Sequence, residues 1–166
     1  MATLLDSPAP PCFSDLPLAA QDVARGVTRL FFRSDLFDLC EVPLPNGRRA
    51  DILALQPDGC FVVVEVKSCA RDFLTDAKWP EYRDYCDRLF FAVDLDFPQE
   101  LLPADAGLLV ADGADAAMLR DAPEHRLAPA RRRALLHRYA VVAAGRLAAL
   151  SDPAGHAELR AALRVE

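Results

Sequence analysis

A carboxylate and an ammonium at the end of an apolar strand constrain this chain more than any other feature of its sequence. Residues 61–64 (FVVV) have the composition of a buried strand, and Glu65, Val66 and Lys67 follow directly. Because strand side chains alternate between faces, Glu65 and Lys67 point to the same side of the predicted sheet. Burying such charges is costly unless each finds a partner. Two interpretations are open: a structural ion pair, or a metal ion shared with Asp51, which opens the preceding predicted strand.

Hydrophobic periodicity predicts an α+β or α/β sandwich in which helices flank a mixed β-sheet. The predicted order is helix, three strands, helix, strand, strand, helix. Turn residues at 45–47 (PNG) and 57–59 (PDG) separate the first three strands, which are therefore expected to form an antiparallel meander. The predicted helices cover residues 18–37, 69–76, 80–87 and 129–150. The predicted strands cover residues 39–44, 49–55, 60–67, 88–93, 107–111 and 117–120.

The length of 166 residues is enough for one domain with a full core. Residues 1–16, rich in proline and small side chains, are expected to be a flexible arm. A single domain is expected over residues 17–152, and the weakly patterned residues 153–166 are expected to form a C-terminal tail. The sequence shows neither the basic start of a signal peptide nor an uncharged run long enough to cross a bilayer, which predicts a cytoplasmic protein without membrane contact.

Composition limits the kinds of site that the chain can contain. Its five cysteines are irregularly spaced and form no Cys-x-x-Cys pair, which argues against a zinc ribbon, an iron–sulfur cluster or a disulfide framework. A net charge of −6 argues against non-specific coating of nucleic acid, although it allows a local basic groove. Only two of the nineteen basic residues are lysines, Lys67 and Lys78. Since arginine is otherwise preferred, both lysines are candidates for chemistry that needs a compact charge or a mobile proton.

Asp51, Glu65 and Lys67 together match the needs of phosphodiester hydrolysis. That reaction needs a Lewis acid at the phosphoryl oxygens, an activated water and relief of negative charge in the transition state. Two carboxylates on neighbouring strands are hard oxygen ligands of the kind that Mg²⁺ prefers. A lysine beside them can orient or deprotonate the attacking water. The hypothesis requires a hairpin register that places Asp51 level with Glu65.

The spacing of these three residues resembles the motif of the PD-(D/E)xK nuclease superfamily. Asp51 is followed by thirteen residues and then by Glu65-Val66-Lys67, at the ends of adjacent predicted strands after one helix, with Ala50 in place of the motif's proline. The longer runs RRADILAL, VVVEVKSCARDFLTDAKWPEYRDYCDRLFFAVD and LLPADAGLLVAD are similar to the MmcB family of bacterial DNA-repair endonucleases. This similarity extends over roughly residues 18–150.

The resemblance implies a restriction-endonuclease-like fold with the core order α-β-β-β-α-β, and metal-dependent cleavage of DNA during repair. Asp51 and Glu65 would bind Mg²⁺ or Mn²⁺, and Lys67 would be the catalytic lysine. Lys78 and Tyr82 are similar to the Gln-x-x-x-Tyr element of RecB-like nucleases, with lysine in place of glutamine. By that similarity, Lys78 and Tyr82 would contact the substrate.

The residues around the central three have simpler alternatives. Lys78 could extend into solvent, and Tyr82 could pack in the core with its hydroxyl on a backbone group. Glu41, one predicted strand away from Asp51, could reach the metal, although a surface carboxylate is the favoured interpretation.

The favoured hypothesis is a metal-dependent DNA endonuclease, a hydrolase acting on ester bonds, that works in DNA repair. The alternative is a non-catalytic DNA-structure-binding or scaffolding subunit of a repair complex that keeps the nuclease fold. A third hypothesis is a regulatory subunit that cleaves DNA only with a partner. DNA is therefore the expected partner, other DNA-repair proteins are candidates, and the oligomeric state is open, a homodimer included.

Overall fold

A mixed β-sheet forms the centre of the protein. The computed structural model describes residues 17–163, with side chains as far as residue 158, so the predicted arm at residues 1–16 lies outside the described residues. Within them the sheet has six strands in the order β1-β2-β3-β4-β5-β6. The first three strands form the predicted antiparallel meander, β4 and β5 run parallel to β3, and the last strand is antiparallel to β5. The strands are β1 (Phe37–Pro43), β2 (Arg49–Leu55), β3 (Phe61–Val66), β4 (Arg88–Val93), β5 (Gly107–Ala111) and β6 (Ala116–Arg120).

Helices flank this sheet, which confirms the predicted α/β class and core order. They are α1 (Leu18–Arg33), α2 (Ala70–Thr75), α3 (Pro129–Ser151) and α4 (Pro153–Leu163), with short 3₁₀ helices at Trp79–Tyr85 and Gln99–Leu101. None of the helices in the described part of the chain is long and apolar enough to cross a membrane.

Three helical segments differ from the sequence prediction. The first helix ends at Arg33, four residues early, because Asp35 adopts a positive φ and the chain turns into β1. The segment expected to be a helix over residues 80–87 forms a 3₁₀ helix over Trp79–Tyr85. The region after residue 152, expected to be a tail, contains helix α4.

The two faces of the sheet have separate cores. Alternating residues of β3 supply both, so Val62 and Val64 pack towards α1, while Phe61 and Val63 pack towards α3 and the 3₁₀ helix Trp79–Tyr85. All six residues of β3 are buried. Glu65 belongs to the second set by the strand's alternation, so its carboxylate projects towards the face that carries α2 and α3.

Helix α3 covers the outer edge of the sheet. The Tyr139 hydroxyl donates a hydrogen bond to the carbonyl oxygen of Phe37 at 2.6 Å, and Arg138 and Arg146 donate to carbonyl oxygens further along β1. An uncovered edge strand would expose these acceptors to pairing with another chain. Covering β1 also holds in place the strand next to Asp51.

Asp87 connects the elements at the end of the sheet where β3 and β4 begin. Its carboxylate is only 2% exposed and accepts hydrogen bonds from the backbone N–H groups of Phe61 and Leu127 and two from the Arg132 guanidinium. Burial alone would raise the pKa of Asp87, but these hydrogen bonds outweigh burial and hold its pKa below the ordinary value. A single charged side chain thus joins β3, β4 and the start of α3.

Replacing Asp87 with asparagine is expected to lower the free energy of unfolding by about 2–4 kcal/mol, because buried donors lose a charged acceptor. The donors affected are the Phe61 and Leu127 N–H groups and the Arg132 guanidinium. Urea denaturation followed by circular dichroism measures the change.

Titration of the Asp87 carboxylate makes the stability difference between the wild type and Asp87→Asn depend on pH. The folded-state pKa of Asp87 lies below its ordinary value of 3.8, so its stabilisation is complete above that value and disappears as the pH falls through the lower one. The difference between the wild type and Asp87→Asn should therefore shrink as the pH falls below about 4. Asp121→Asn is the control, since the exposed pair of Asp121 with Arg88 contributes less than about 1 kcal/mol. A difference that stays constant over this pH range would contradict the assignment.

Candidate active site

A cleft of about 510 Å³ opens beside the end of β3. Asp51, Glu65 and Lys67 all line it. Its other walls come from the first turn of α1 and from α2, which contributes Arg71. The three residues that the sequence singled out therefore share one cleft.

The register between β2 and β3 brings the two acidic residues level. Ile52 lies opposite Val64, so continuing the antiparallel pairing by one residue places Asp51 opposite Glu65. One oxygen of Asp51, Oδ2, accepts a hydrogen bond of 2.8 Å from the backbone N–H of Val66. That bond orients the Asp51 side chain. The required register is present.

Glu65 is the least satisfied polar group of the cleft. Its side chain is only 3% exposed, and its Oε1 atom is buried without a hydrogen-bond partner among the described residues. Its other oxygen, Oε2, lies 3.8 Å from Lys67 Nζ, beyond ordinary hydrogen-bond distance. Burial, and then the nearby charge of Asp51, raise the pKa of Glu65 well above its ordinary range.

The pKa of Asp51 is shifted by the same surroundings. Burial raises its pKa to about 6, and the charge of Glu41 adds to the shift, while the hydrogen bond from the Val66 N–H and the charge of Lys67 oppose it. In the absence of a cation, the half-buried Asp51 and the buried Glu65 disfavour each other's ionised form. A divalent ion between them would remove that penalty.

Lys67 is bound to a carboxylate that the sequence analysis did not identify. The side chain is 5% exposed, and Nζ donates a hydrogen bond of 2.6 Å to Oδ2 of Asp76, just after α2. Burial by itself would lower the pKa of Lys67, but the hydrogen bond to Asp76 and the charge of Glu65 outweigh burial and raise it. Lys67 is therefore an ammonium ion at neutral pH.

The donor set of the cleft fits a divalent cation of the magnesium type. Mg²⁺ binds oxygen ligands, usually one or two carboxylates, and retains several waters. Asp51 and Glu65 supply two such carboxylates, and the buried, unpartnered Oε1 atom of Glu65 is the acceptor that a cation would satisfy. No cluster of three or more histidine, cysteine, aspartate or glutamate side chains suited to a metal occurs within residues 17–158. The fit therefore rests on two protein ligands.

The structure places Lys78 and Tyr82 differently from each other. Tyr82 is buried, and its hydroxyl donates a hydrogen bond of 3.1 Å to the carbonyl oxygen of Arg49, two residues before Asp51. Lys78 is exposed at the start of the 3₁₀ helix, and its backbone N–H bonds to Asp76. Tyr82 thus supports the strand that carries Asp51, while substrate contact by either residue stays a prediction.

Glu41 is not the surface carboxylate that the sequence favoured. It is only 6% exposed, and the exposed Arg49 forms an ion pair with its carboxylate. Its backbone has φ +53°, a left-handed conformation that is rare for a glutamate within a strand and interrupts the pairing of β1 with β2. That irregular position turns Glu41 inward, close enough for its charge to affect Asp51.

Asp76 and Glu41 are the two residues of the site that sequence reasoning missed or misjudged. Asp76 lies nine residues after Lys67, beyond a short helix whose length and direction decide whether the two side chains meet. The sequence signal available was two acidic residues, Asp72 and Asp76, between the only two lysines. For Glu41 the sequence offers no signal of the left-handed backbone.

The chain is similar to proteins of known family and fold. The family model MmcB-like, described as DNA repair protein MmcB-like, matches residues 10–154. A solved structure of a protein of unknown function from Silicibacter pomeroyi shares 49% sequence identity with a TM-score of 0.80, covering 86% of this chain and 97% of that chain. No curated protein matches the chain.

Replacing Glu65 with glutamine is expected to stabilise the metal-free protein and to remove its response to metal. Because the pKa values of Asp51 and Glu65 are raised, the folded state retains protons that the unfolded chain has released, and stability falls as the pH rises through that window. At pH 8 with a chelator, the variant should be more stable than the wild type by about 1–3 kcal/mol. Thermal unfolding measures this.

Adding Mg²⁺ or Mn²⁺ should then raise the unfolding temperature of the wild type but not of Glu65→Gln, because only the wild type retains both ligands. Glu100→Gln, which changes an exposed glutamate outside the cleft, is the matched control and should behave as the wild type does. Equal stabilisation of wild type and Glu65→Gln by the metal would place the metal elsewhere.

Proposed function

This chain belongs to the MmcB-like family of DNA repair proteins, and we propose that it is a metal-dependent endonuclease that hydrolyses DNA phosphodiester bonds. The observation that supports the proposal most directly is the buried, unpartnered Oε1 atom of Glu65, a residue that lies level with Asp51. The other oxygen of Glu65, Oε2, lies 3.8 Å from the Lys67 ammonium. A structural ion pair would satisfy both partners. Here the Oε1 atom of Glu65 is left without a hydrogen bond.

Asp51 and Glu65 are the proposed ligands of Mg²⁺ or Mn²⁺. When bound, such an ion supplies a Lewis acid for the phosphoryl oxygens and lowers the pKa of a coordinated water. Asp51 is held ready for this by the Val66 N–H, so little rearrangement of its side chain is needed. Burial of Glu65 keeps the site at low dielectric constant, where charge interactions are stronger than in water.

Lys67 is proposed to stabilise the negative charge that develops on the phosphate. Its raised pKa means that it keeps its proton at neutral pH, so it donates a hydrogen bond to a phosphate oxygen or to the attacking water. Arg71, exposed on the cleft wall, is proposed to contact a neighbouring phosphate of the same strand. Substrate contact by Lys78 and Tyr82 is part of the same proposal.

The charges around the cleft also favour a second candidate, a subunit whose partner supplies the DNA-binding surface. The protein carries a net charge of −6. Several cations near the cleft are already engaged by carboxylates, which reduces their attraction for DNA. These pairs are Lys67 with Asp76, Arg49 with Glu41 and Arg48 with Glu81. In the non-catalytic form of this candidate, the protein binds a DNA structure within a repair complex and does not cleave it.

The endonuclease proposal predicts metal-dependent cleavage that needs both Glu65 and Lys67. Labelled single-stranded, nicked, flapped, branched and crosslinked DNAs are incubated with the protein and Mg²⁺ or Mn²⁺, and the products are separated on denaturing gels. Glu65→Ala and Lys67→Ala should each reduce cleavage of the preferred DNA by at least about 100-fold, since each removes charge stabilisation of the transition state.

Glu100→Gln should cleave at the wild-type rate, because Glu100 is exposed and remote from the cleft lining. Cleavage that survives in Glu65→Ala would point to a contaminating nuclease and contradict the assignment. Absence of cleavage on every DNA, with DNA binding equal in wild type and variants, would favour the non-catalytic subunit. Cleavage that begins only on addition of a repair partner would favour the partner-dependent subunit.

A further inference from the structure

Asp76 lies outside the motif that identified the cleft, yet it makes the shortest contact to the proposed catalytic lysine. Its Oδ2 atom accepts the hydrogen bond of 2.6 Å from Lys67 Nζ, and its Oδ1 atom accepts one of 2.9 Å from the backbone N–H of Lys78. The Asp76 N–H in turn donates to the carbonyl oxygen of Phe73 at the end of α2. Both carboxylate oxygens and the backbone of Asp76 are therefore fixed, which makes its carboxylate a rigid anchor.

The position of Lys67 Nζ relative to Glu65 follows from this anchor. A lysine side chain has four rotatable carbon–carbon bonds, and its ammonium would move to the strongest acceptor in reach. Glu65 Oε2 lies 3.8 Å away, and a small rotation would bring it into direct hydrogen-bond contact. With Nζ bonded to Asp76 instead, Lys67 makes no direct hydrogen bond to Glu65, and Oε1 of Glu65 stays free for another ligand.

We propose that Asp76 is a positioning residue that holds the Lys67 ammonium away from Glu65, so that Glu65 can bind a divalent cation while Lys67 faces the phosphate. The inference rests on the proposed function of the cleft. Without Asp76, Lys67 pairs directly with Glu65. That pair blocks a metal ligand and withdraws the ammonium from the substrate, so one substitution weakens both metal binding and catalysis.

Asp76 also joins two walls of the cleft. Helix α2 has no fully buried residue, and its half-buried Phe73 packs edge-on against Phe91 with ring centroids 5.4 Å apart. The ion pair between Lys67 and Asp76 thus links the residue after α2 to the residue after β3. A purely structural role for Asp76 is the alternative that an experiment has to separate from positioning.

Because the chain has only two lysines, their ammonium signals can separate a positioning role of Asp76 from a purely structural one. In protein labelled with ¹⁵N-lysine, an ammonium signal is visible only where hydrogen bonding and burial slow proton exchange with water. Lys67 is buried and hydrogen-bonded whereas Lys78 is exposed, so the wild type should show one protected signal, and Lys67→Arg should remove it. Asp76→Asn should shift or abolish this signal, and Asp76→Glu should restore it in part.

Metal affinity and turnover supply the second readout. Asp76→Asn should weaken Mn²⁺ binding, measured by calorimetry, by about 10-fold or more, as is typical when the partner of a metal-site group is removed. On a cleaved DNA it should lower kcat more than it raises KM, because Lys67 acts after the DNA has bound. Asp84→Asn, which alters an exposed aspartate paired with Arg131, is the control and should match the wild type.

The outcomes are distinct. An unchanged Lys67 signal with unchanged Mn²⁺ affinity in folded Asp76→Asn would overturn positioning, and a fall in stability alone would mark Asp76 as structural. A wild-type protein that binds no Mn²⁺ would contradict the proposed function, while the Lys67 signal would still decide whether Asp76 holds the lysine. If the wild type binds Mn²⁺ but cleaves no DNA, the Lys67 ammonium signal and the Mn²⁺ affinity of Asp76→Asn still decide whether Asp76 positions the lysine.

Discussion

Placing opposite charges at the end of a fully buried strand is the constraint from which the site follows. Glu65 and Lys67 continue β3 after four apolar residues, where water cannot solvate either charge well. The lysine is compensated by Asp76 across the cleft. The glutamate is not compensated in the same way, since one of its oxygens has no hydrogen bond. The covered edge of β1, the hairpin register and α2 all hold this arrangement in place.

The two ends of the central strands place buried carboxylates in environments with opposite effects on their ionisation. At one end Asp87 accepts hydrogen bonds from two backbone N–H groups and from Arg132, so its ionised form is favoured and it strengthens the fold. At the other end burial and neighbouring charge disfavour ionisation of Glu65. Stability would be greater if Glu65 were neutral. Retaining an unfavourable charge is common where a site gives up stability for function, and here the cation proposed for Glu65 and Asp51 would relieve it.

Much of the fold could be predicted because its strands have strong local signals. The bounds of β2 match the predicted segment to the residue, and the Pro-Asp-Gly turn set the register that aligns Asp51 with Glu65. Helix α4 was missed because its alanine-rich sequence carries little apolar periodicity and includes Gly155.

The remaining features of the site depend on geometry that a linear pattern does not encode. Whether Asp76 reaches Lys67 is decided by the length of α2 and the turn after it. Burial of Glu41 depends on one left-handed residue in β1, a conformation for which its sequence gives no cue. Both are contacts between residues distant in sequence or set by a local irregularity, whereas the Asp51, Glu65 and Lys67 set follows from strand alternation and a standard turn.

The central claim is that Asp51 and Glu65 bind a divalent cation. Anomalous diffraction from crystals soaked in Mn²⁺ tests it most directly, because the ion is located without reference to any activity. We expect an anomalous peak between the two carboxylates, within coordination distance of Glu65 Oε1, and no such peak in crystals of Glu65→Gln. A peak elsewhere on the protein with none at this position would contradict it.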